Sequence, residues 1–130
     1  MVHLDTDTVI AYFNGNRVVA DRIRAGLPAI GVSALVGAEL LFGAKLSVRA
    51  AENRSKVLEF LEVIAPVPFD ESCAAAFADI KAELRRIGKP TGEMDALIAA
   101  TAVAHQATLV THNRRHYENI VGLCWEDWLD

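Results

Sequence analysis

The apolar and polar positions of this chain alternate between short apolar runs and longer stretches with helical spacing. Apolar residues that recur every three or four positions predict helices, and short apolar runs bounded by turn residues predict buried strands. Helices are predicted over 6–13, 17–25, 34–46, 51–62, 71–87 and 91–103, and strands over 2–5, 29–32, 65–69 and 108–111. Residues 114–130 are predicted to hold a short helix and an edge strand near 123–125, with Trp128 packed at the end.

Strands that alternate with helices predict a parallel sheet, because parallel neighbours need long crossover connections. The predicted fold class is therefore α/β, with a parallel β-sheet flanked by helices on both faces. The chain has 130 residues, which is close to the usual size of one domain, and no segment has the composition of a linker. We expect residues 1–130 to form a single domain.

The composition narrows the classes of function. A net charge of −4 argues against a simple DNA-binding module, so any nucleic acid would be bound through a local basic patch. Cys73 and Cys124 lie far apart in apolar surroundings and are predicted to be reduced core thiols. Asp5 and Asp7 stand where a signal peptide has basic and apolar residues, and no run approaches the roughly 20 apolar residues of a membrane span. We expect a cytoplasmic protein without membrane contact.

Polar residues that directly follow the predicted strands are candidates for a binding site. Ligands of open parallel sheets bind beyond the carboxyl ends of the strands. Asp5 ends the first strand, and Thr111 and Asn113 follow the fourth. Asp70 follows the third strand, but its position predicts the N-cap of the next helix, and it is excluded from the site.

Two further carboxylates lie on predicted apolar helices. Glu39 is either a lone solvent-facing residue or a group aimed into a cleft, since it shares no polar face with Lys45. Asp95 has Ala99 and Ala102 on its own face, which predicts an inward orientation. Carboxylates from separate elements at one sheet edge form an oxygen-only site suited to Mg²⁺ or Mn²⁺, and such a site is typical of phosphate chemistry.

Three segments, in this order, carry a resemblance to a known family. Residues 4–7 (LDTD), 38–44 (AELLFGA) and 95–100 (DALIAA) resemble the signatures of VapC-type PIN domains, and residues 109–113 (LVTHN) and 121–128 (VGLCWEDW) resemble the closing segment of that family. The resemblance covers essentially the whole chain. It implies a PIN-like three-layer sandwich and a metal-dependent endoribonuclease that is the toxin of a toxin-antitoxin pair.

The resemblance also implies site residues and partners. Asp5, Glu39 and Asp95 would bind Mg²⁺ or Mn²⁺, with Asn113 as a further catalytic residue and Thr6 and Thr111 in support. The family is usually homodimeric, cleaves RNA, is inhibited by a cognate VapB-type antitoxin, and contacts DNA only through that antitoxin. Many PIN domains carry a fourth acidic residue, but here the candidate positions hold Asn113 and His116, which leaves open whether one or two metal ions bind.

Basic residues near the predicted site are candidates for contact with RNA. Arg114 and Arg115 directly follow the site and are interpreted as ligands of the RNA backbone. Arg85, Arg86 and Lys89 are interpreted as a solvated helix face.

Three alternatives remain beside this interpretation. Residues 5–9 (DTDTV) after a strand resemble the nucleophile motif of haloacid-dehalogenase-type phosphatases, but the acidic cluster that those enzymes need later is here Thr-His-Asn. A catalytically weak PIN-like module for dimerisation or antitoxin binding is the second alternative. The third is zinc binding by the histidines, and their spacing instead predicts surface or core residues: His3, His105, His112 and His116.

Overall fold

The computed structural model describes residues 1–129. The helices are α1 (Thr6–Phe13), α2 (Arg17–Gly26), α3 (Ala34–Leu46), α4 (Ala50–Val63), α5 (Glu71–Arg86), α6 (Glu93–Ala104) and α7 (Arg114–Tyr117). The strands are β1 (Val2–Leu4), β2 (Ile30–Ser33), β3 (Pro66–Val67), β4 (Thr108–Val110) and β5 (Trp125–Glu126). Within this described part of the chain, no helix combines the length and apolarity that a membrane crossing requires.

The five strands form one parallel sheet in the order β3-β2-β1-β4-β5. The chain moves from β1 outward to β3, and then returns to the other side of β1 for β4 and β5. Because parallel crossovers are right-handed, this reversal places the helices before β3 on one face of the sheet and α5 and α6 on the other. The predicted α/β class is confirmed. In open parallel sheets, ligands bind at such a reversal, outside the carboxyl ends of the strands beside it, which are here β1 and β4.

Side-chain caps explain where three of the helices begin. Asn16 accepts a hydrogen bond from the amide of Val19 at 3.0 Å, and Ser33 accepts one from Val36 at 3.1 Å. Asp70 accepts one from the amide of Cys73 at 3.1 Å. Each bond satisfies an amide that has no partner within its helix. The predicted caps at Ser33 and Asp70 are confirmed.

The structure differs from the sequence predictions in three places. Helix α6 begins at Glu93 and not at Thr91 as predicted. Thr91 instead contacts α7, because its hydroxyl donates to the carbonyl of His116 at 2.9 Å. Strand β3 has two residues instead of five. Cys73 is buried as predicted, but the prediction of a core thiol was wrong for Cys124, which is exposed; both thiols are free.

The two ends of the chain pack against the core. Leu4 on β1 and Leu109 on β4 are fully buried, and the predicted packing of Trp128 is confirmed, since only 7% of this residue is exposed. The guanidinium of Arg22 lies 5.4 Å from the centre of the Trp128 ring. β1 is the middle strand of the sheet, and Asp5 directly follows it.

Candidate active site

Asp5 lies between β1 and α1, where the buried strand ends. It is only 3% exposed. Its Oδ1 accepts a hydrogen bond from the amide of Thr6 at 2.8 Å, and its Oδ2 accepts one from the hydroxyl of Thr111 at 2.7 Å. Burial raises the pKa of Asp5 to about 6, and the charge of Asp7 acts in the same direction, whereas the hydrogen bond from Thr111 opposes the rise. Ionised Asp5 therefore lacks sufficient stabilisation from its hydrogen bonds alone.

Glu39 lies in the middle of α3 and faces the cleft. Its Oε1 accepts a hydrogen bond from the hydroxyl of Thr6 at 2.6 Å. The side chain also lines a groove of about 270 Å³ between α1, α3 and α4. Of the two orientations that the sequence left open, the structure shows the one toward a cleft. Thr6 connects two carboxylates, through its amide to Asp5 and through its hydroxyl to Glu39.

Asp95 lies in the first turn of α6 with its side chain 25% exposed. Its Oδ1 accepts a hydrogen bond from the hydroxyl of Tyr117 at 3.2 Å, and its Oδ2 lies 3.0 Å from Nδ1 of His116. The predicted inward orientation agrees with these contacts. They also fix the carboxylate between α6 and α7.

Tyr117 connects the first and third carboxylates and was not among the residues predicted from the sequence. Burial, together with the negative charges of Asp5 and Asp95, raises the pKa of its hydroxyl far above the usual range. The hydroxyl therefore stays protonated and donates. The only signal in the sequence was a lone aromatic residue at the end of a short helix directly after the predicted site.

Thr6 and Tyr117 connect the three carboxylates, which do not form one close cluster. Their oxygens do not all approach within 4.8 Å of one another. Among the ion pairs of residues 1–129, none includes Asp5 or Glu39. A buried carboxylate without a basic partner either takes up a proton or is compensated by a cation. Oxygen-only donors fit Mg²⁺ or Mn²⁺, and Mg²⁺ keeps several waters, so the carboxylates need not be in contact with each other.

Thr111 and Asn113 follow β4 at the same edge. Thr111 is buried, and its hydroxyl oxygen also accepts a hydrogen bond from the amide of Asn113 at 3.1 Å. Asn113 itself is exposed, and its side chain makes no capping bond to α7. Thr111 thus belongs to the network around Asp5, and Asn113 lies at its rim.

Asp7 and His112 are in contact at the same edge of the sheet. The amide of His112 donates to Oδ2 of Asp7 at 2.9 Å, and the ring of His112 lies 2.8 Å from Oδ2 of Asp127. These contacts tie the start of α1 to the loop after β4. His112 is one of the polar residues that follow the fourth predicted strand, but its bond to Asp7 was not predicted, because it joins segments that are 105 positions apart.

The basic residues near the site differ in their contacts. Arg114 lies 3.6 Å from Glu118, and its guanidinium lies 5.9 Å from the centre of the Trp125 ring, while Arg115 is exposed. On α5, Arg86 pairs with Glu83 at the exposed surface, which agrees with the predicted solvated face.

His116 was predicted to be a surface or core residue, and it has a more specific place. It is half-exposed and in contact with Asp95, at one of the two positions where the family resemblance predicts a fourth acid. An imidazole therefore stands where an additional carboxylate would increase the negative charge of the site.

Taken together, the parallel sheet with a reversal at β1 and the acidic edge beside it define an α/β protein with a candidate cation site for phosphate chemistry. The family model described as "PIN domain" matches residues 2–121. The chain therefore belongs to the PIN-domain family, and this assignment leaves the haloacid-dehalogenase alternative without support.

Relatives and solved structures agree with the family assignment. The chain is 32% identical over 118 residues to Ribonuclease VapC2 of Rickettsia felis, which covers 91% of this chain and 84% of that protein. It is 32% identical over 126 residues to the tRNA(fMet)-specific endonuclease VapC of Salmonella typhimurium, and the aligned part covers 96% of this chain and 96% of that protein. The crystal structure of VapBC2 from Rickettsia felis bound to a promoter DNA fragment has a TM-score of 0.91 at 30% identity, over 98% of this chain and 99% of the other.

Proposed function

We propose that this protein is a metal-dependent endoribonuclease and the toxin of a toxin-antitoxin pair. The observation that carries the proposal is the buried Asp5 carboxylate, which is linked by Thr6 to Glu39 and by Tyr117 to Asp95, at the crevice of a PIN domain. The names of the two relatives, a ribonuclease and a tRNA endonuclease, support RNA as the substrate.

In this proposal Asp5, Glu39 and Asp95 hold one Mg²⁺ or Mn²⁺ ion. When bound, the ion supplies Lewis-acid chemistry and neutralises charge that develops on the phosphodiester. The hydroxyls of Thr6 and Thr111 keep the first two carboxylates in position by donating to them. Asp5 binds a cation only when it is ionised, so its pKa of about 6 makes cation binding weaker in acid.

The remaining groups at the rim position water and RNA. Asn113 is exposed beside Thr111, and its amide is available to orient the attacking water. Arg115 and Arg114 lie on α7 next to the carboxylates and would contact backbone phosphates. Because the whole protein is acidic, this basic pair would supply the local attraction that RNA requires.

The proposal extends to partners and context. The solved VapBC2 structure, which is bound to a promoter DNA fragment, supports a cognate VapB-type antitoxin as the partner. In this proposal DNA is contacted only through that antitoxin. A homodimer is supported by the large exposed side chains at the end of α3, where Phe42 is 65% and Leu46 71% exposed. We propose that the protein is cytoplasmic. We also propose that residues 1–130 form one domain, because β5 pairs with β4 beyond the part matched by the family model.

Cleavage of a pool of structured RNAs by the purified protein tests the proposal. The antitoxin is removed first, and the reaction is run with EDTA, with Mg²⁺ and with Mn²⁺. We expect cutting only with a metal ion, and a loss on the order of a thousandfold in Asp5→Asn and Asp95→Asn, as several kcal/mol of lost transition-state stabilisation implies. Asp79→Asn removes an exposed carboxylate on α5 and serves as the matched control.

The outcomes separate the nuclease from the weak binding module. Cutting that persists in EDTA, or in both variants, would show that these carboxylates do not bind the catalytic ion. Binding of a VapB-type antitoxin by a protein that cuts no RNA would support the catalytically weak alternative.

A further inference from the structure

A second cluster of residues of metal-ligating types lies at the other end of α6. Asp70 caps α5, Cys73 lies in the first turn of α5, and His105 follows the last turn of α6. One ligand atom from each lies within 4.8 Å of the other two. Asp95 and His105 are ten positions apart on α6, which separates the cluster from the acidic site by about 15 Å.

The spacing of the cluster fits a tetrahedral metal. A zinc ion with a sulfur ligand at about 2.3 Å and a nitrogen ligand at about 2.0 Å holds the two ligand atoms about 3.6 Å apart. Sγ of Cys73 lies 3.8 Å from Nε2 of His105. The hydrogen bonds from Ser72 at 2.7 Å and from the amide of Cys73 both end on Oδ1 of Asp70. Oδ2 can therefore bind a metal while Asp70 still caps α5.

His3 on β1 supplies an independent observation beside this cluster. The residue is 1% exposed, and neither ring nitrogen has a hydrogen-bond partner within the part of the chain that the structure describes. Its ring centre lies 6.0 Å from that of His105. The ring has room because residue 31 is glycine, where an added Cβ would lie 3.3 Å from Cδ2 of His3. Buried polar atoms without partners are rare, and a neighbouring ion is one of the few arrangements that satisfy them.

We propose that Asp70, Cys73 and His105 bind a zinc-like divalent cation, with His3 as the fourth ligand. The nitrogens of His3 lie outside the group of atoms within 4.8 Å, so its ring must turn toward His105 when the ion binds. Thiolate and imidazole ligands select Zn²⁺ or Co²⁺ over Mg²⁺, which is the reverse of the preference of the acidic site. This proposal departs from the sequence-based prediction that the histidines form no zinc site, because the fold joins residues that no sequence spacing connects.

A filled site of this kind is structural. It joins β1, the beginning of α5 and the end of α6, and β1 and α6 are the elements that lead to Asp5 and Asp95. Four protein ligands leave no position for substrate, as in structural zinc sites. Binding to the folded chain alone raises its stability.

Cobalt titration of the full-length protein tests this inference independently of nuclease activity. The protein is stripped with EDTA, reduced, and titrated with Co²⁺ in a buffer that contains excess Mg²⁺ to occupy the acidic site. We expect one equivalent of Co²⁺ to produce a thiolate-to-cobalt charge-transfer band and the visible bands of tetrahedral coordination. Zn²⁺ should abolish these bands and raise the melting temperature, whereas Mg²⁺ should do neither.

Variants assign the ligands. Cys73→Ser should lose the charge-transfer band, and Cys124→Ser, which changes the other thiol, should keep it. Cys73 is fully buried, so Asp70→Asn and His105→Gln provide variants that leave the core thiol intact; asparagine also retains the helix cap. Each should bind Co²⁺ at least tenfold more weakly, since even an outer-shell partner contributes about 10–100-fold. The inference fails if wild-type protein shows no thiolate band, if Cys73→Ser keeps it, or if Cys124→Ser loses it.

Discussion

The two ends of α6 carry two clusters whose chemistries are opposite. At the first turn, Asp95 joins Asp5 and Glu39 in a set of oxygen donors that favours Mg²⁺ or Mn²⁺. At the last turn, His105 lies beside Cys73 in a set of sulfur and nitrogen donors that favours Zn²⁺. The strand β1 contributes to both ends, because it carries His3 and leads into Asp5.

Each of the two clusters contains or adjoins a buried titratable residue that lowers the stability of the metal-free protein. Asp5 and His3 are both almost completely buried, and in each the charged form is disfavoured by burial. The pKa of Asp5 is raised to about 6, while that of His3 is lowered to about 4. Buried groups of this kind are typical of binding sites. The central strand therefore carries two groups whose burial reduces the stability of the metal-free protein.

The largest expected effect concerns the acidic end. Glu39→Gln should reduce RNA cleavage on the order of a hundredfold to a thousandfold, because it removes a negative ligand and leaves the acceptor for Thr6 in place. Glu62→Gln, an exposed change on α4, is the control. Steady-state cleavage with Mg²⁺ is the measurement, and an unchanged Mg²⁺ affinity in Glu39→Gln would remove this residue from the site.

The second prediction concerns the stability of the acidic end without metal. The folded pKa of Asp5 is about 6 and the ordinary value is 3.8, so the folded state retains its proton longer and stability falls as the pH rises through this window. At pH 7 in EDTA, Asp5→Asn should be more stable than wild type by up to about 3 kcal/mol. Urea denaturation at pH 7 and at pH 3 measures this, and the difference should vanish at the lower pH.

The third prediction concerns His3, where the pH dependence of stability has the opposite sign. The pKa of His3 is lowered from 6.5 to about 4, so its unfolded state binds protons first and stability falls as the pH drops through this window. His3→Leu should remove this acid sensitivity and stabilise the metal-free protein at pH 7 by about 1–3 kcal/mol, because two unsatisfied nitrogens leave the core. Urea denaturation in EDTA across this pH range should confirm both effects. A destabilised His3→Leu would mean that these nitrogens are satisfied.

The smallest expected effect concerns His116, the imidazole beside Asp95. His116→Glu should raise Mg²⁺ affinity by roughly tenfold, because affinity for hard cations increases with the number of charged ligands. His116→Gln is the neutral comparison and should change the affinity less. Calorimetric titration with Mg²⁺ distinguishes the two, and equal affinities would mean that residue 116 lies too far from the ion to contribute.

Much of the fold was predictable because its signals are local. The order of strands and helices, the caps at Ser33 and Asp70, and the burial of Trp128 follow from spacing and residue type. The short β3 and the later start of α6 were not predictable, since pairing with β2 decides the first and a contact of Thr91 with His116 on α7 decides the second.

The candidate site divides along the same line. Spacing and residue type show which carboxylates follow strands or lie on apolar helices, and a family resemblance connects Asp5, Glu39 and Asp95. Three contacts arise from the folding of the chain: the bond from Thr6 to Glu39, the bond from Tyr117 to Asp95, and the contact of Cys73 with His105. The residues in these pairs are 33, 22 and 32 positions apart in the chain. Periodicity reports only on neighbours within a few residues, whereas such contacts depend on how the crossovers stack the helices on the sheet.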